Sequence, residues 1–299
     1  MSDPLPNTIA PPPENALYQA YDVPEETERS TFHYEKPPEF FYILTGGEWN
    51  AYSCSIWEPG TTSMTQAQEK KLDKMAELME LKPGMRVLDV GCGWGGPIVY
   101  WAHKYGAICH GITVTPRQVP EVQARAAKYN APVTVEVLHW KNLPEVETYD
   151  IVTTDEVLVH FRDLGDFFAK CNKILKPGGK MVHKELHFTH PKYAVFGPIS
   201  AHVNKIYGYT CNYVTLAQEL QLANDNNFQL RNVFEIPMAD YQKTMDEWQS
   251  GLFQNRERVK KLVGEQVYKD FRAYLKGIRY LFTHEDMFNL HIVASRKMS

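Results

Sequence analysis

The sequence predicts an α/β fold: a mainly parallel, doubly wound sheet with an N-terminal helical cap and a helical lid inserted after the fifth strand. Three observations carry this expectation. Short apolar runs alternate with amphipathic stretches from residue 85 to 186, as repeated β-α units do. A glycine-rich turn, Gly91-Cys-Gly-Trp-Gly-Gly96, leads from one such run directly into a helical pattern. A long stretch of weak periodicity, 187–213, then interrupts the alternation after the fifth strand, where α/β enzymes keep substrate lids.

Taken in order, residues 1–14 carry Pro4, Pro6 and Pro11 to Pro13 and read as a flexible leader. The remainder, 15–299, reads as a single domain, long enough at 43% apolar content to bury a large core. Its first part, 15–65, is rich in aromatics such as Phe40, Phe41, Trp49, Tyr52 and Trp57, and is expected to form short helices packed as a cap over a ligand pocket. Ala67, Leu72, Met75, Ala76 and Met79 recur at helical spacing with charges between them, which predicts an amphipathic helix ended by Pro83-Gly84. Strands are then expected at 85–90, 107–112, 133–138, 149–154 and 180–186, with helices at 95–105, 117–129 and 164–175. After the lid, a helix at 215–223, a strand at 228–234, helices at 240–262 and 264–282 and a strand at 286–295 complete the chain.

The net charge of −4 is mixed along the chain and no basic run stands out, so nucleic acid is not an expected partner. There is no run of 18 apolar residues and no basic-then-apolar leader, so no transmembrane segment is expected, while peripheral membrane contact stays open. Five cysteines without a C-x-x-C pair read as free thiols in the cytoplasm. Oligomeric state, including a homo-oligomer, is left open.

The glycine turn carries the chemistry. A strand entering a helix through residues without side chains presents unpaired N–H groups to a ligand over the strand's end, which predicts a nucleotide or cofactor site. The competing reading is a glycine turn with no ligand. A redox dinucleotide would ask for an acid about 20 residues on. The chain offers Gly111-Ile-Thr-Val-Thr-Pro there, with no acid before Glu121, so that reading is weak. His183, His187 and His190 with Glu185 have the look of a ligand cluster, but a strand running into a loop would spread them, and no metal is expected.

Leu81-Lys-Pro-Gly-Met-Arg-Val-Leu-Asp-Val-Gly-Cys-Gly-Trp-Gly-Gly96 resembles the S-adenosylmethionine motif of the cyclopropane fatty acid synthases and mycolic acid cyclopropane synthases. His33-Tyr34, Tyr52-Ser-Cys-Ser55, Gly111-Ile-Thr-Val-Thr-Pro-Arg-Gln118, His139-Trp140, Leu175-Lys-Pro-Gly-Gly179 and Ala239-Asp-Tyr-Gln-Lys-Thr244 agree in the same order, from about residue 32 to the C-terminus. The resemblance implies a class I methyltransferase (Rossmann-like) fold and S-adenosyl-L-methionine as cofactor, with S-adenosyl-L-homocysteine as product. It implies Gly91 and Gly93 beneath the methionine part, Ser53 holding it, Thr113 and Gln118 on the ribose and Trp140 beside the adenine. Tyr52, Asp89 and Asp155 complete the expected cofactor set. Trp140 as ordinary core and Thr113 as a plain strand end are the competing readings.

In that family the resemblance further implies a bound bicarbonate, held by a Cys, a Glu beside a His-Phe pair, a fifth-strand His and a Tyr. Cys54 and Tyr241 fit two positions, but Val159 stands where the Glu would be. Counting from Gly179, the fifth-strand position falls on Lys184, with His183 one residue off and therefore on the opposite face. Methyl transfer is expected to be kept and cyclopropanation is put in doubt, bicarbonate with it. Glu156, at the end of the fourth strand, and His160 are candidate acid–base residues, as in the plant alkaloid N-methyltransferases that resemble this family. A helix cap and a packed core histidine are the competing readings. Three functions follow as expectations: carbon methylation of an apolar, unsaturated, lipid-like or prenyl-like acceptor; N-methylation of a small amine through Glu156 and His160; or a cofactor-binding protein that has lost catalysis.

Overall fold

A computed structural model of the chain describes residues 23–193, 206, 214–283 and 288–298. The leader and, apart from Ile206, the expected lid from 194 to 213 lie outside the described residues. Seven strands make one sheet: β1 (Arg86–Val90), β2 (Ile108–Thr113), β3 (Val133–Val137), β4 (Tyr149–Asp155), β5 (Leu175–Phe188), β6 (Phe228–Ile236) and β7 (Phe288–Lys297), in the order β3-β2-β1-β4-β5-β7-β6. The first five run parallel, and β7 is antiparallel to both β5 and β6. The strand order reverses between β1 and β4, which opens a crevice beyond their carboxyl ends.

Nine α-helices surround this sheet among the described residues: α1 (Val23–Tyr34), α2 (Pro38–Thr45), α3 (Met64–Met79), α4 (Gly96–Tyr105), α5 (Gln118–Tyr129), α6 (Leu164–Ile174), α7 (Leu216–Asp225), α8 (Met238–Gln254) and α9 (Arg256–Leu281). Strand alternation divides the core in two. Val87, Cys109, Ile151 and Val182 face α2, α3, α4, α8 and α9, whereas Leu88, Ile112, Val152 and Met181 face α6 and α7. Strands buried on both faces read as unbroken apolar runs, which is why the alternation from residue 85 onward is visible in the sequence.

The cap is present as α1 and α2. Thr31 of α1 donates to the Val114 carbonyl at 3.2 Å, and Tyr42 of α2 donates to Glu121 at 2.8 Å, so both helices are tied to the β2–α5 region. The C-terminal helices depart from expectation. Gly264, at φ 84°, supplies the anticipated break, but it falls inside α9. A second break comes at Asn255, which leaves the helical region at φ −106° and ψ 21°, with both its N–H and its side-chain amide on the Gly251 carbonyl.

The candidate active site

A cavity of about 980 Å³, counting the space open to solvent, lies over the carboxyl ends of β1, β2 and β4 beneath α1. Its floor is the glycine turn. The N–H groups of Gly91 and Cys92 both donate to the Ile112 carbonyl, at 2.9 and 3.1 Å, which pins the turn to the end of β2. Gly93 has φ 52°, and a Cβ there would meet no protein atom within 4 Å, so its face is open. Gly96 is the opposite case: a Cβ would sit 1.7 Å from the Trp49 carbonyl oxygen, so the cap's backbone touches the start of α4. That helix begins without a side-chain cap.

On one wall Thr113 donates to Gln118 at 2.6 Å, both buried. Trp140 packs on Phe161 and Phe167 at ring distances of 5.5 and 5.3 Å. Three buried donors that line the cavity have no protein partner among the described residues: Trp140 Nε1, Trp94 Nε1 and Asn50 Nδ2. Buried donors of this kind ask for an acceptor. With the open Gly93 they fit an adenosyl group and an amino-acid carboxylate, so the donor set suits the expected cofactor.

At the end of β4 stand four charged side chains, two of them fully buried. Asp155 and Glu156 line the cavity, and Lys71 and Lys184, both 0% exposed, stand behind them. Lys71 Nζ lies 2.6 Å from Asp155 Oδ2 and 2.6 Å from Ser53 Oγ, and Ser53 donates to the same Asp155 oxygen at 2.7 Å. Lys184 Nζ lies 2.8 Å from Asp155 Oδ1 and 2.5 Å from Glu156 Oε1, which also accepts the Cys54 N–H at 2.8 Å. Burial opposes ionisation of Asp155, but the Lys184 and Lys71 charges outweigh it and hold the carboxyl far below its usual range. At Asp89 the Lys71 charge is outweighed: burial and the Asp155 charge push it up to about 8.

Glu156 adopts φ 58°, an uncommon conformation for a side-chain-bearing residue, fixed by its N–H to the Lys184 carbonyl at 2.7 Å. It does not cap the turn that follows. That role falls to Glu185 of β5, whose Oε1 accepts the N–H groups of Val157 and Leu158 at 3.0 and 3.1 Å and the Thr154 hydroxyl at 3.0 Å. The 3₁₀ turn Leu158–His160 thus hangs from the sheet and delivers His160 to the cavity. Burial lowers the His160 pKa to about 4.

The cofactor set from the sequence, Tyr52, Ser53, Asp89, Gly91, Gly93, Thr113, Gln118, Trp140 and Asp155, is brought to this one cavity, together with Glu156 and His160. Cys54 and Tyr241 are not. The Cys54 thiol, raised in pKa by burial, is bonded to the Ser55 carbonyl at 3.3 Å and faces Thr244, and the Tyr241 ring packs on Phe282 at 3.8 Å. Strand parity places Lys184 on the cavity side and His183 on the other, as counted. The spreading expected of the histidines is corrected: 183 and 187 keep the same parity on β5, and both bind Glu219, at 2.8 and 3.0 Å. His190 is exposed. Among the described residues no group of three such side chains is arranged to hold a metal ion.

Sequence reasoning missed Lys71, Asn50 and the contact between Glu26 of α1 and His139 at 3.3 Å. For Lys71 a signal existed, since it lies on the same helical stripe as Ala67 and Met75, both buried.

A sheet in this order with its last strand reversed, and a glycine turn beneath a cavity at the switch point, define a class I methyltransferase fold. The chain belongs to the mycolic acid cyclopropane synthetase family, whose model matches residues 22–292, and it is an S-adenosylmethionine-dependent methyltransferase. Cyclopropane mycolic acid synthase 1 of Mycobacterium tuberculosis is 27% identical over 267 residues, 84% of this chain and 90% of that protein. The structure of mycolic acid cyclopropane synthase CmaA1 complexed with SAH and CTAB matches with a TM-score of 0.82 at 24% identity, covering 91% of this chain and 98% of that one. Coclaurine N-methyltransferase bound to N-methylheliamine and SAH matches at 0.79 and 20%, covering 94% and 85%. No helix among the described residues is long and apolar enough to cross a membrane.

Proposed function

We propose that the chain transfers the methyl group of S-adenosyl-L-methionine to the nitrogen of an amine carried on an apolar small-molecule acceptor, in the cytoplasm, leaving S-adenosyl-L-homocysteine. One observation carries this reading: Glu156 and His160 line the same cavity as the glycine turn, whereas the Cys54 thiol and the Tyr241 ring are engaged elsewhere. Gly91, Gly93, Tyr52, Ser53 and Asp155 would hold the amino-acid end of the cofactor, Thr113 and Gln118 the ribose, Trp140 the adenine. Asp89 would line the floor between them.

When bound, the cofactor supplies an electrophilic methyl group on a sulfonium. The chain's part is to present the nucleophile in line and to exclude water. The amine attacks as the free base, and His160, neutral at pH 7, accepts a hydrogen bond that orients it. The nitrogen lone pair forms the new N–C bond, the S–C electron pair returns to sulfur, and the ammonium so formed keeps its proton and pairs with the Glu156 carboxylate. Tyr34, Tyr52 and Phe161 border the cavity, and aromatic rings favour the cation that develops. Bicarbonate has no part in this reading, because Val159 and Lys184 stand in two of the positions that would hold it. The amine bound to coclaurine N-methyltransferase, a protein of like fold, is in keeping with it.

A second reading, carbon methylation of an unsaturated lipid-like or prenyl-like acceptor, is favoured by the family and by the same aromatic wall. Labelled cofactor offered with amines and with unsaturated acyl and isoprenoid acceptors separates the two. We expect label in an amine product and at least a roughly 10²-fold loss of its turnover in Glu156→Gln. Label at an alkene carbon, unaffected by that substitution, would establish the second reading instead. Cofactor binding without transfer to any acceptor would point to a protein that has lost catalysis.

A further inference from the structure

The two carboxylates that line the cavity at the end of β4 are each backed by a lysine the cavity does not reach. Lys184 is the more telling of the pair. It touches Glu156 at 2.5 Å and Asp155 at 2.8 Å, and its backbone carbonyl takes the Glu156 N–H. Glu156 is therefore fixed at three points: its backbone by Lys184, and one carboxylate oxygen by both the Lys184 ammonium and the Cys54 N–H. The ammonium stands behind the carboxylate, out of the cavity that Glu156 lines, and compensates its charge there. The ammonium also occupies the fifth-strand position at which the resemblance expects a bicarbonate-binding histidine, and neither Cys54 nor Tyr241 reaches the cavity to complete such a cage.

We propose that Lys184 is a positioning residue that holds the Glu156 carboxylate toward the positive end of the methyl donor, so that the chain carries its own counter-charge and takes no bicarbonate. The proposal rests on the cofactor reading above, but not on which acceptor is methylated.

The test needs no acceptor. Sinefungin carries a protonated amine where the donor carries its methyl sulfonium, and S-adenosyl-L-homocysteine is neutral at that point. The ratio of their affinities, measured by calorimetry, therefore reads the charge that faces the reacting end. We expect wild type to favour sinefungin, Glu156→Gln to lower that preference by about tenfold, as loss of a close charge pair does, and Lys184→Met to lower it equally. Lys184→Arg should restore it, and Glu156→Gln combined with Lys184→Met should show no loss beyond either alone. Should Lys184→Met fail to fold, the Arg variant and the double variant, which leaves no uncompensated charge, carry the comparison. A Lys184→Met protein that keeps the wild-type preference while Glu156→Gln loses it overturns the proposal and leaves the cofactor reading intact. Wild type that binds both ligands alike, or whose sinefungin affinity changes with excess bicarbonate, overturns it too. Failure to bind either ligand would instead reject the cofactor reading.

Discussion

His160 is held in the cavity as a neutral imidazole, and that state has a thermodynamic signature. Its folded pKa of about 4 lies below the ordinary value near 6.5. Between those values the unfolded chain binds more protons than the folded one, so stability rises with pH across that window and is lost as pH falls. In His160→Gln the stability lost on going from pH 7 to pH 5 should shrink by about 1–2 kcal/mol, as read by urea unfolding at each pH. His33 and His291, also buried with lowered pKa, keep the remaining slope from vanishing. Single residues differed in how far the sequence disclosed them. The side of the sheet taken by Lys184 follows from counting along a strand in twos. Lys71 is harder: a lysine within Glu-Lys-Lys-Leu reads as solvated, and its partner Asp155 is 84 positions away.

Among the elements, the glycine turn gives the clearest division between ligand space and packing. Gly93→Ala introduces a methyl group into open space at a left-handed φ, so the protein should fold while binding S-adenosyl-L-homocysteine at least about tenfold more weakly. Gly96→Ala drives the same methyl into the Trp49 carbonyl, and circular dichroism should report loss of the folded state or marked destabilisation. The strand-turn-helix around these glycines was legible because local chemistry dictates it. The reversal of β7 was not, because strand direction is set by how the chain returns across the sheet and leaves no local mark. β5 begins five residues before the expected start, at Leu175, because Tyr149 pairs with Leu175 and the register then shifts past the Pro-Gly-Gly turn before Ile151 meets Lys180.

At the scale of the whole molecule, the cavity is roofed by α1, which contributes Glu26, Thr27, Ser30 and Tyr34 to its lining. A ligand held between the roof and the sheet binds the folded chain alone. At a hundred times its Kd, S-adenosyl-L-homocysteine should raise Tm by about 4 °C for a chain of this length, measured by differential scanning calorimetry. No shift would mean that roof and sheet do not share a ligand. That a cap would cover the site was readable from the density of aromatics before residue 65. Which of its polar residues reach the cavity was not, since Glu26 and His139 meet only once the chain has closed over 113 positions.

Glu185 shows where the chemistry of this enzyme is open to change. The turn bearing Glu156 and His160 is suspended from a carboxylate on the rear of the sheet, where His183, His187 and Glu219 lie. A lineage adapting to a new acceptor can therefore retune its reacting groups from behind. Libraries selected for altered acceptor range should gather substitutions under α7, at positions no acceptor ever meets.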